Sequence, residues 1–423
     1  MEEVDLIIQN AGQVATCSSP AGPKRGPEMQ DAGLISDGAI AIRGNEIAAV
    51  EERKFIQSNY TARKIIDAQG MAVCPGFVDP HTHVVYASNR VNEFELRIKG
   101  TSYLEIMAAG GGIVSTTRAV RSASVNELVD QAWSRLDAML QLGTTSVEIK
   151  TGYGLDAANE MKMLEVIEIL ASKHPCTIVP TFLGGHAIPS EFKNNPEDYV
   201  DLVIEKMIPE AAEWYERSLF KRNKIPFCCD VFIENNAFNF EQSRRIFNAA
   251  SKAGLGIKIH ADEFTSLGGV SLAVEFNALS ADHLDATNAE DRAQLAASHT
   301  IAVVLPGVNF NLGSSQFANA RALIDEGCAL ALATDFNPGS APCPSQPLIM
   351  AIASRYQKLL PAETLNACTI NAAHALGLGD RVGSIEPGKK ADLIILKTAD
   401  YRFLSYEFGG NLVDTVIKNG VVQ

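Results

Sequence analysis

Eight short runs rich in β-branched and other apolar residues recur through the middle of the chain, each followed by a stretch with helical periodicity. They read "MAVCPGFVDPHTH" (71–83), "GTTSVEIK" (143–150), "TIVPTFLGGH" (177–186), "FCCDVFIE" (227–234), "GLGIKIHADE" (254–263), "ALSADHLD" (278–285), "TIAVVLPG" (300–307) and "ALALATDFNPG" (329–339). Near-continuous apolarity marks strands buried on both faces, and parallel strands need helical crossovers to return to the same edge. Eight such units predict a TIM-like (β/α)8 barrel. At 423 residues the chain exceeds the ~250 of a typical barrel, leaving room for a second module.

The intervening helices carry their own signals. In "SASVNELVDQAWSRLDAMLQLG", Ser124 and Glu127 fit a capping box, Leu128, Ala132, Leu136, Met139 and Leu140 share one face, and Gly143 falls where a helix would end. The stretch 187–225 is longer than an ordinary connection and reads as an inserted helical segment near the barrel mouth. The two ends of the chain differ from the middle, with short alternating strands and turns that bury little alone. Residues 1–70 and 381–423 are therefore expected to form one small β-sandwich domain flanking a barrel of residues 71–380. The Pro/Gly-rich stretch 17–33 reads as a surface loop.

Composition narrows the function classes. A net charge of -14 without clustered Lys and Arg argues against a nucleic-acid surface, so an anionic substrate must be met by a local arginine. No apolar run approaches the ~20 residues that span a bilayer, and "MEEVDLIIQNAGQV" is acidic where a signal peptide is basic. A cytoplasmic enzyme with no membrane partner is the expectation. The eight cysteines form no C-x-x-C pair and several sit in strand-like runs, which predicts reduced, buried thiols.

In a parallel barrel the active site lies at the C-terminal ends of the strands. Five of the eight histidines fall there: His81, His83, His186, His260 and His283; His174, His299 and His374 fall in helices or connections. Alternation places His81 and His83 on the same side of their strand, able to bind one ion together, and His260 and Asp335 would complete a four-residue set. Three nitrogens and one carboxylate suit zinc and iron alike and leave a position for water. The run "AAGGGIVSTTR" (108–118) lacks the Gly-Lys-Ser/Thr ending of a phosphate loop and reads as a mobile segment near the mouth.

This constellation, with "NACTINAAHALGLGDRVGSIEPGKKADLIIL" (366–396), resembles the amidohydrolase superfamily, in which a barrel-mouth metal activates water. Two-metal members usually place a carboxylated lysine at the end of the fourth strand. Here that run ends Phe232-Ile233-Glu234, and the strand-end lysine is Lys150 on the second, so one zinc or iron ion per subunit is expected. The blocks "HTHVVYASNRVNEFELRIKGTSYLEIMAAGGGIVSTTRAVRSAS", "EIKTGYGLD", "TFLGGHAIP", "IHADEF" and "ATDFNPGS" resemble the imidazolonepropionase family of ring-opening hydrolases.

That resemblance implies a substrate, 4-imidazolone-5-propionate, opened to N-formimidoyl-L-glutamate in histidine degradation. It implies Arg90 as the fork for the propionate carboxylate, Tyr153 and His186 as substrate contacts, and Asn337, Gly339 and Ser340 as contacts to substrate or product. Glu263 is expected to bind substrate and carry the water's proton to the departing nitrogen. His283 would polarise the carbonyl oxygen, and Asp335 shares the shuttle in a division that these residues leave open. A homodimer is the common assembly for such barrels. The rival enzyme reading is a deaminase of a purine or pyrimidine base, whose metal set would look alike. The rival outside enzymes is an inert barrel serving as a scaffold.

Overall fold

The computed structural model describes residues 1–101, 105–106 and 110–423. Five strands come first: β1 (Glu2–Ala15), β2 (Leu34–Arg43), β3 (Glu46–Glu52), β4 (Tyr60–Asp67) and β5 (Ala72–Pro75). Eight follow in the middle: β6 (Phe77–Asp79), β7 (Thr144–Lys150), β8 (Thr177–Gly185), β9 (Cys228–Ile233), β10 (Gly256–Ala261), β11 (Ser280–His283), β12 (Ile301–Val304) and β13 (Leu330–Leu332). The last are β14 (Leu393–Leu396), β15 (Val413–Lys418) and β16 (Val421–Val422).

Strands β6 to β13 pair in sequence order, every ladder parallel. Beyond the end of β13 the sheet meets its own start: Thr82 bridges Phe336, His83 N donates to Phe336 O at 3.0 Å, and Asp335 N donates to His81 O at 3.1 Å. The eight expected runs thus form a nearly closed barrel. The helix Val125–Gln141 has the expected cap, with Glu127 N donating to Ser124 Oγ at 3.3 Å and Ser124 N to Glu127 Oε2 at 2.8 Å. Its buried face is Leu128, Ala132, Leu136, Met139 and Leu140, and each leucine there stabilises by roughly 1.5–3 kcal/mol relative to exposure. All eight cysteines are free, and all but the half-buried Cys343 are buried.

The strands from both ends build one mixed sheet in the order β16-β15-β14-β5-β1-β2-β3, with β4 on β1 as well. Along β1, Leu6 and Ile8 face one apolar cluster and Ile7 the other, the period-two pattern of a sheet covered on both sides. The first apolar run serves both sheets. Residues 72–75 pair with β1 and β14, and residues 77–79 pair with β7. Between them stands Gly76, where a Cβ would lie 2.4 Å from the Thr145 side chain.

Two connections carry more contacts than the sequence discloses. Residues 187–225 are helical as expected, and they start at the C-terminal end of β8, where Tyr199 Oη donates to Gly184 O at 2.9 Å. Pro196–Leu202, a π turn at Val203–Met207 and Ile208–Arg217 lie against the helices Ala157–Lys173 and Phe240–Lys252, in the outer layer that follows β8. Buried Tyr199, Val203, Met207 and Phe220 anchor them, and the π turn precedes Pro209, which has no N–H to continue the ladder. The stretch 17–33 runs along the surface as expected, with Pro20, Ala21, Pro27, Glu28, Gln30 and Asp31 exposed, but it is pinned at several points. Arg25 donates to the helix-end carbonyls of Ala296, Ser298 and Gly327, Asn366 donates to Met29 O and Asp31 O at 2.9 Å, and Met29 is fully buried. Those carbonyls have no partner within their own helices, so the strap caps them.

Of the run 108–118, residues 108 and 109 lie outside the described residues, and Ile113–Ser122 is a helix. Among the described residues no helix is long and apolar enough to cross a membrane.

Candidate metal and substrate site

The barrel interior below the histidines is ionic. Inward positions of β7, β9, β10 and β11 carry Glu148, Lys150, Asp230, Lys258 and Asp282, each at most 1% exposed. Lys150 Nζ lies 2.9 Å from Glu148 Oε2, 2.7 Å from Asp230 Oδ2 and 3.6 Å from Asp282 Oδ2, and Lys258 Nζ lies 2.9 Å from the same Glu148 oxygen. Charges this deep persist only when paired. Burial disfavours the Lys150 ammonium, but Asp230, Glu148 and Asp282 overcome it and hold its pKa above the usual lysine range. Burial opposes ionisation of Asp230 too, and His260 with Lys150 keeps its carboxylate well below the ordinary range.

Of this layer the sequence reading singles out Lys150 and the strand-end Asp282, but not their pairing with Glu148, Asp230 and Lys258. Its signal was there: "SVEIK", "CCDVF", "GIKIH" and "SADH" interrupt apolar strands with charge at inward positions.

Two of these carboxylates face the histidines above. Asp282 Oδ2 lies 2.6 Å from His81 Nδ1, and since an ionised carboxylate only accepts, the proton belongs on Nδ1 and the Nε2 lone pair faces the barrel axis. Asp230 Oδ2 lies 3.0 Å from His260 Nδ1 without hydrogen-bond geometry, and both ring nitrogens of His260 are buried without a hydrogen-bond partner. His81, His83 and His260 offer ligand atoms all within 4.8 Å of one another. Asp335 Oδ1 stands 3.6 Å from His81 Nε2 and 3.4 Å from His83 Nε2. Asp335 has φ 51°, a left-handed backbone that costs a non-glycine residue about 1–3 kcal/mol and is typical of functional sites.

Burial, then neighbouring charge, holds His81 and His83 well below the usual histidine pKa, so both rings are neutral. Buried nitrogens without partners are costly, roughly 1–3 kcal/mol each, unless something fills the space between them. This donor set fits a divalent transition metal. His81, Glu148 and Asp282 also cluster, but Lys150 and Lys258 already neutralise that group.

Around this cluster stand four further expected residues. His186 Nδ1 donates to Gly152 O at 2.9 Å, its ring stacks on His83 with centroids 5.1 Å apart, and burial and the nearby His260 push its pKa down to about 3. The Tyr153 ring centroid lies 5.3 Å from that of His186 and 5.8 Å from that of His83. His283 has φ 83°, and its Nε2 is 3.8 Å from Glu263 Oε2. Burial, reinforced by Asp335, Asp285 and Glu234, raises Glu263 well above the usual carboxylate range. Asp335 is pushed up to about 7 by burial, against the pull of His260 and of bonds from Asn337 and Ser340.

The turn after Asp335 is built by Asn337. Its Oδ1 accepts from Gly339 N at 2.7 Å and Ser340 N at 2.8 Å, while Nδ2 donates to Asp335 O at 2.7 Å and Ser340 Oγ at 2.8 Å. Ser340 Oγ reaches Asp335 Oδ2 at 3.4 Å, and the Arg90 guanidinium lies against Gly339. The turn thus links the Asp335 carboxylate to the expected carboxylate fork.

Comparison with known proteins agrees with this arrangement. The model of the amidohydrolase family matches residues 72–422. The chain is 53% identical to an imidazolonepropionase of Chloroflexus aggregans, over 100% of this chain and 99% of that one. It is 50% identical to that of Herpetosiphon aurantiacus (100% and 98% covered) and 42% identical to that of Bacillus velezensis (99% and 97%). Among solved structures it resembles a zinc-bound adenosine deaminase of Xanthomonas campestris, with TM-score 0.71, 20% identity, and 100% and 93% of the two chains covered. It also resembles the E. coli guanine deaminase, with TM-score 0.70, 15% identity and 99% of each chain covered. These structural likenesses carry the fold, and the full-length relatives carry more: the chain belongs to the amidohydrolase family and, within it, to the imidazolonepropionases.

Proposed function

We propose that this chain opens 4-imidazolone-5-propionate by hydrolysis to N-formimidoyl-L-glutamate, with His81, His83, His260 and Asp335 holding one zinc or iron ion. The observation that carries the reading is a buried cluster of histidines with partnerless nitrogens, next to a high-pKa glutamate, in a chain of this family. An ion held there supplies Lewis acidity, which lowers the pKa of a coordinated water toward neutrality. Lys150 does not supply a second site, because its ammonium is committed to Glu148 and Asp230.

The chain's own groups do the rest. Arg90 binds the propionate carboxylate, and Tyr153 and His186 wall the ring. Water adds its oxygen to the ring carbonyl carbon, the bond from that carbon to the adjacent ring nitrogen breaks, and Glu263 carries the water's proton to that nitrogen. A carboxyl already held above the usual range keeps a proton long enough to return it. His283, beside Glu263, faces the oxygen where negative charge grows. A purine or pyrimidine base has no carboxylate for Arg90, which sets the deaminase reading second.

The test is to supply imidazolonepropionate generated from urocanate and to follow its ultraviolet loss with formiminoglutamate by mass spectrometry. Rapid conversion, abolished by chelator and restored by Zn²⁺ or Fe²⁺, is expected. A metal-loaded protein that leaves the compound intact while deaminating a base would reverse the order of the two readings.

A further inference from the structure

Glu93 lies three residues beyond Arg90, on the helix Val91–Ile98, with its side chain 15% exposed. Both of its oxygens are used. Oε2 accepts from Arg90 Nε at 2.8 Å, while Oε1 accepts from Gly112 N and from Ser115 Oγ, each at 3.0 Å. A bond at Nε, the nitrogen inside the side-chain stem, fixes the rotation of the guanidinium and leaves the terminal Nη pair as a fork. The guanidinium then rests on Gly339. A Cβ added there would lie 2.2 Å from Arg90 Nη1, 2.4 Å from Cζ and 3.0 Å from Nε, and Gly339 does not adopt a left-handed backbone. That residue is glycine to admit the arginine, not to make a turn. Arg97, farther along the same helix, donates from Nη2 to Gly339 O at 3.2 Å and clasps the contact from the other side.

Resting on the reading of Arg90 as the carboxylate fork, we infer that Glu93 is a positioning residue that holds the Arg90 guanidinium against Gly339. It thereby sets how far from the ring-opening centre a substrate's carboxylate must sit. Because Gly339 lies four residues after Asp335, the contact is anchored to the same turn as a proposed metal ligand. Glu93 also ties the fork to Gly112 and Ser115 at the start of the helix Ile113–Ser122, so the fork is braced from two elements.

The test is steady-state kinetics on imidazolonepropionate with the metal-loaded full chain. It compares wild type with Glu93→Gln, Glu93→Ala, Gly339→Ala, Arg90→Ala and the Arg90→Ala/Glu93→Ala double variant. Each Glu93 variant and Gly339→Ala is expected to raise KM at least tenfold while kcat falls no more than threefold. The double variant should be within twofold of Arg90→Ala alone, because without the fork there is nothing to position. An unchanged KM in Arg90→Ala would remove the reading of the fork itself. A high KM in Arg90→Ala beside an unchanged KM in the Glu93 variants would overturn the positioning role alone, as would a loss confined to kcat. If Glu93→Ala does not fold, the isosteric Glu93→Gln decides.

Discussion

His81 illustrates how a single side chain is prepared for the proposed role of ligand. Its Nδ1 is committed to Asp282, and that commitment aims Nε2 at its neighbours. Asp282→Asn should therefore retain the fold but bind metal roughly 10–100-fold more weakly, the usual cost of losing a ligand's hydrogen-bond partner; metal retained after dialysis against graded chelator measures it. Glu263 carries a different load. Glu263→Gln keeps the shape but cannot take a proton, so metal content should match wild type while kcat falls by about 10²–10⁴. Retained turnover with the substitution would move the shuttle to Asp335 or His283. The histidines and Asp335 were legible because strand ends and period-two alternation are local. The roles of Asp230 and Asp282 were not, because a carboxylate inside a strand acquires its meaning only when the barrel brings β9, β10 and β11 into register.

Elements were legible where one physical rule governed them. The helix Val125–Gln141 shows a cap, an apolar stripe and a terminal glycine in agreement, and Ser124→Ala should cost about 1 kcal/mol in urea denaturation with little effect on turnover. The prolines and glycines of the stretch 17–33 disclose its irregular surface backbone but not the points where it is anchored. Its anchoring depends on Arg25, Asn366 and Asn371 reaching backbone carbonyls far away in sequence. In the stretch 187–225 the converse holds. Its helices were visible, but their seat in the outer layer depends on which neighbours the barrel presents, such as Gly184 O, which accepts from buried Tyr199 Oη at 2.9 Å.

At the scale of the whole molecule, stability should follow both metal and pH. An ion at about 100 times its Kd should add about 2.7 kcal/mol to unfolding, seen as a rise in Tm that chelator reverses. The acid limb has a contributor far from the site. His374 packs on Gly379, its Nε2 is buried without a partner, and burial, helped by Lys389, lowers its pKa from 6.5 to about 4. Between those values the unfolded chain binds a proton that the folded chain refuses. Its stabilising share is thus complete above pH 6.5 and is lost as pH falls toward about 4. His374→Gln should make the urea midpoint less sensitive to pH across that window than in wild type.

The first apolar run hangs the histidine pair from the other sheet. His81 and His83 follow β6 directly, β6 follows β5 across Gly76, and β5 is gripped by β1 on one side and β14 on the other. Gly76 N itself donates to Asp392 O at 2.9 Å. During synthesis the two histidines emerge early, yet the strand that clamps their support emerges near the end. Chains cut before Leu393 should therefore carry every proposed ligand and still fail to retain metal, which metal analysis of such truncations would register. A half-made chain should thus hold the histidine pair on an unclamped strand, and only the closing of the second sheet by β14 would set the proposed site.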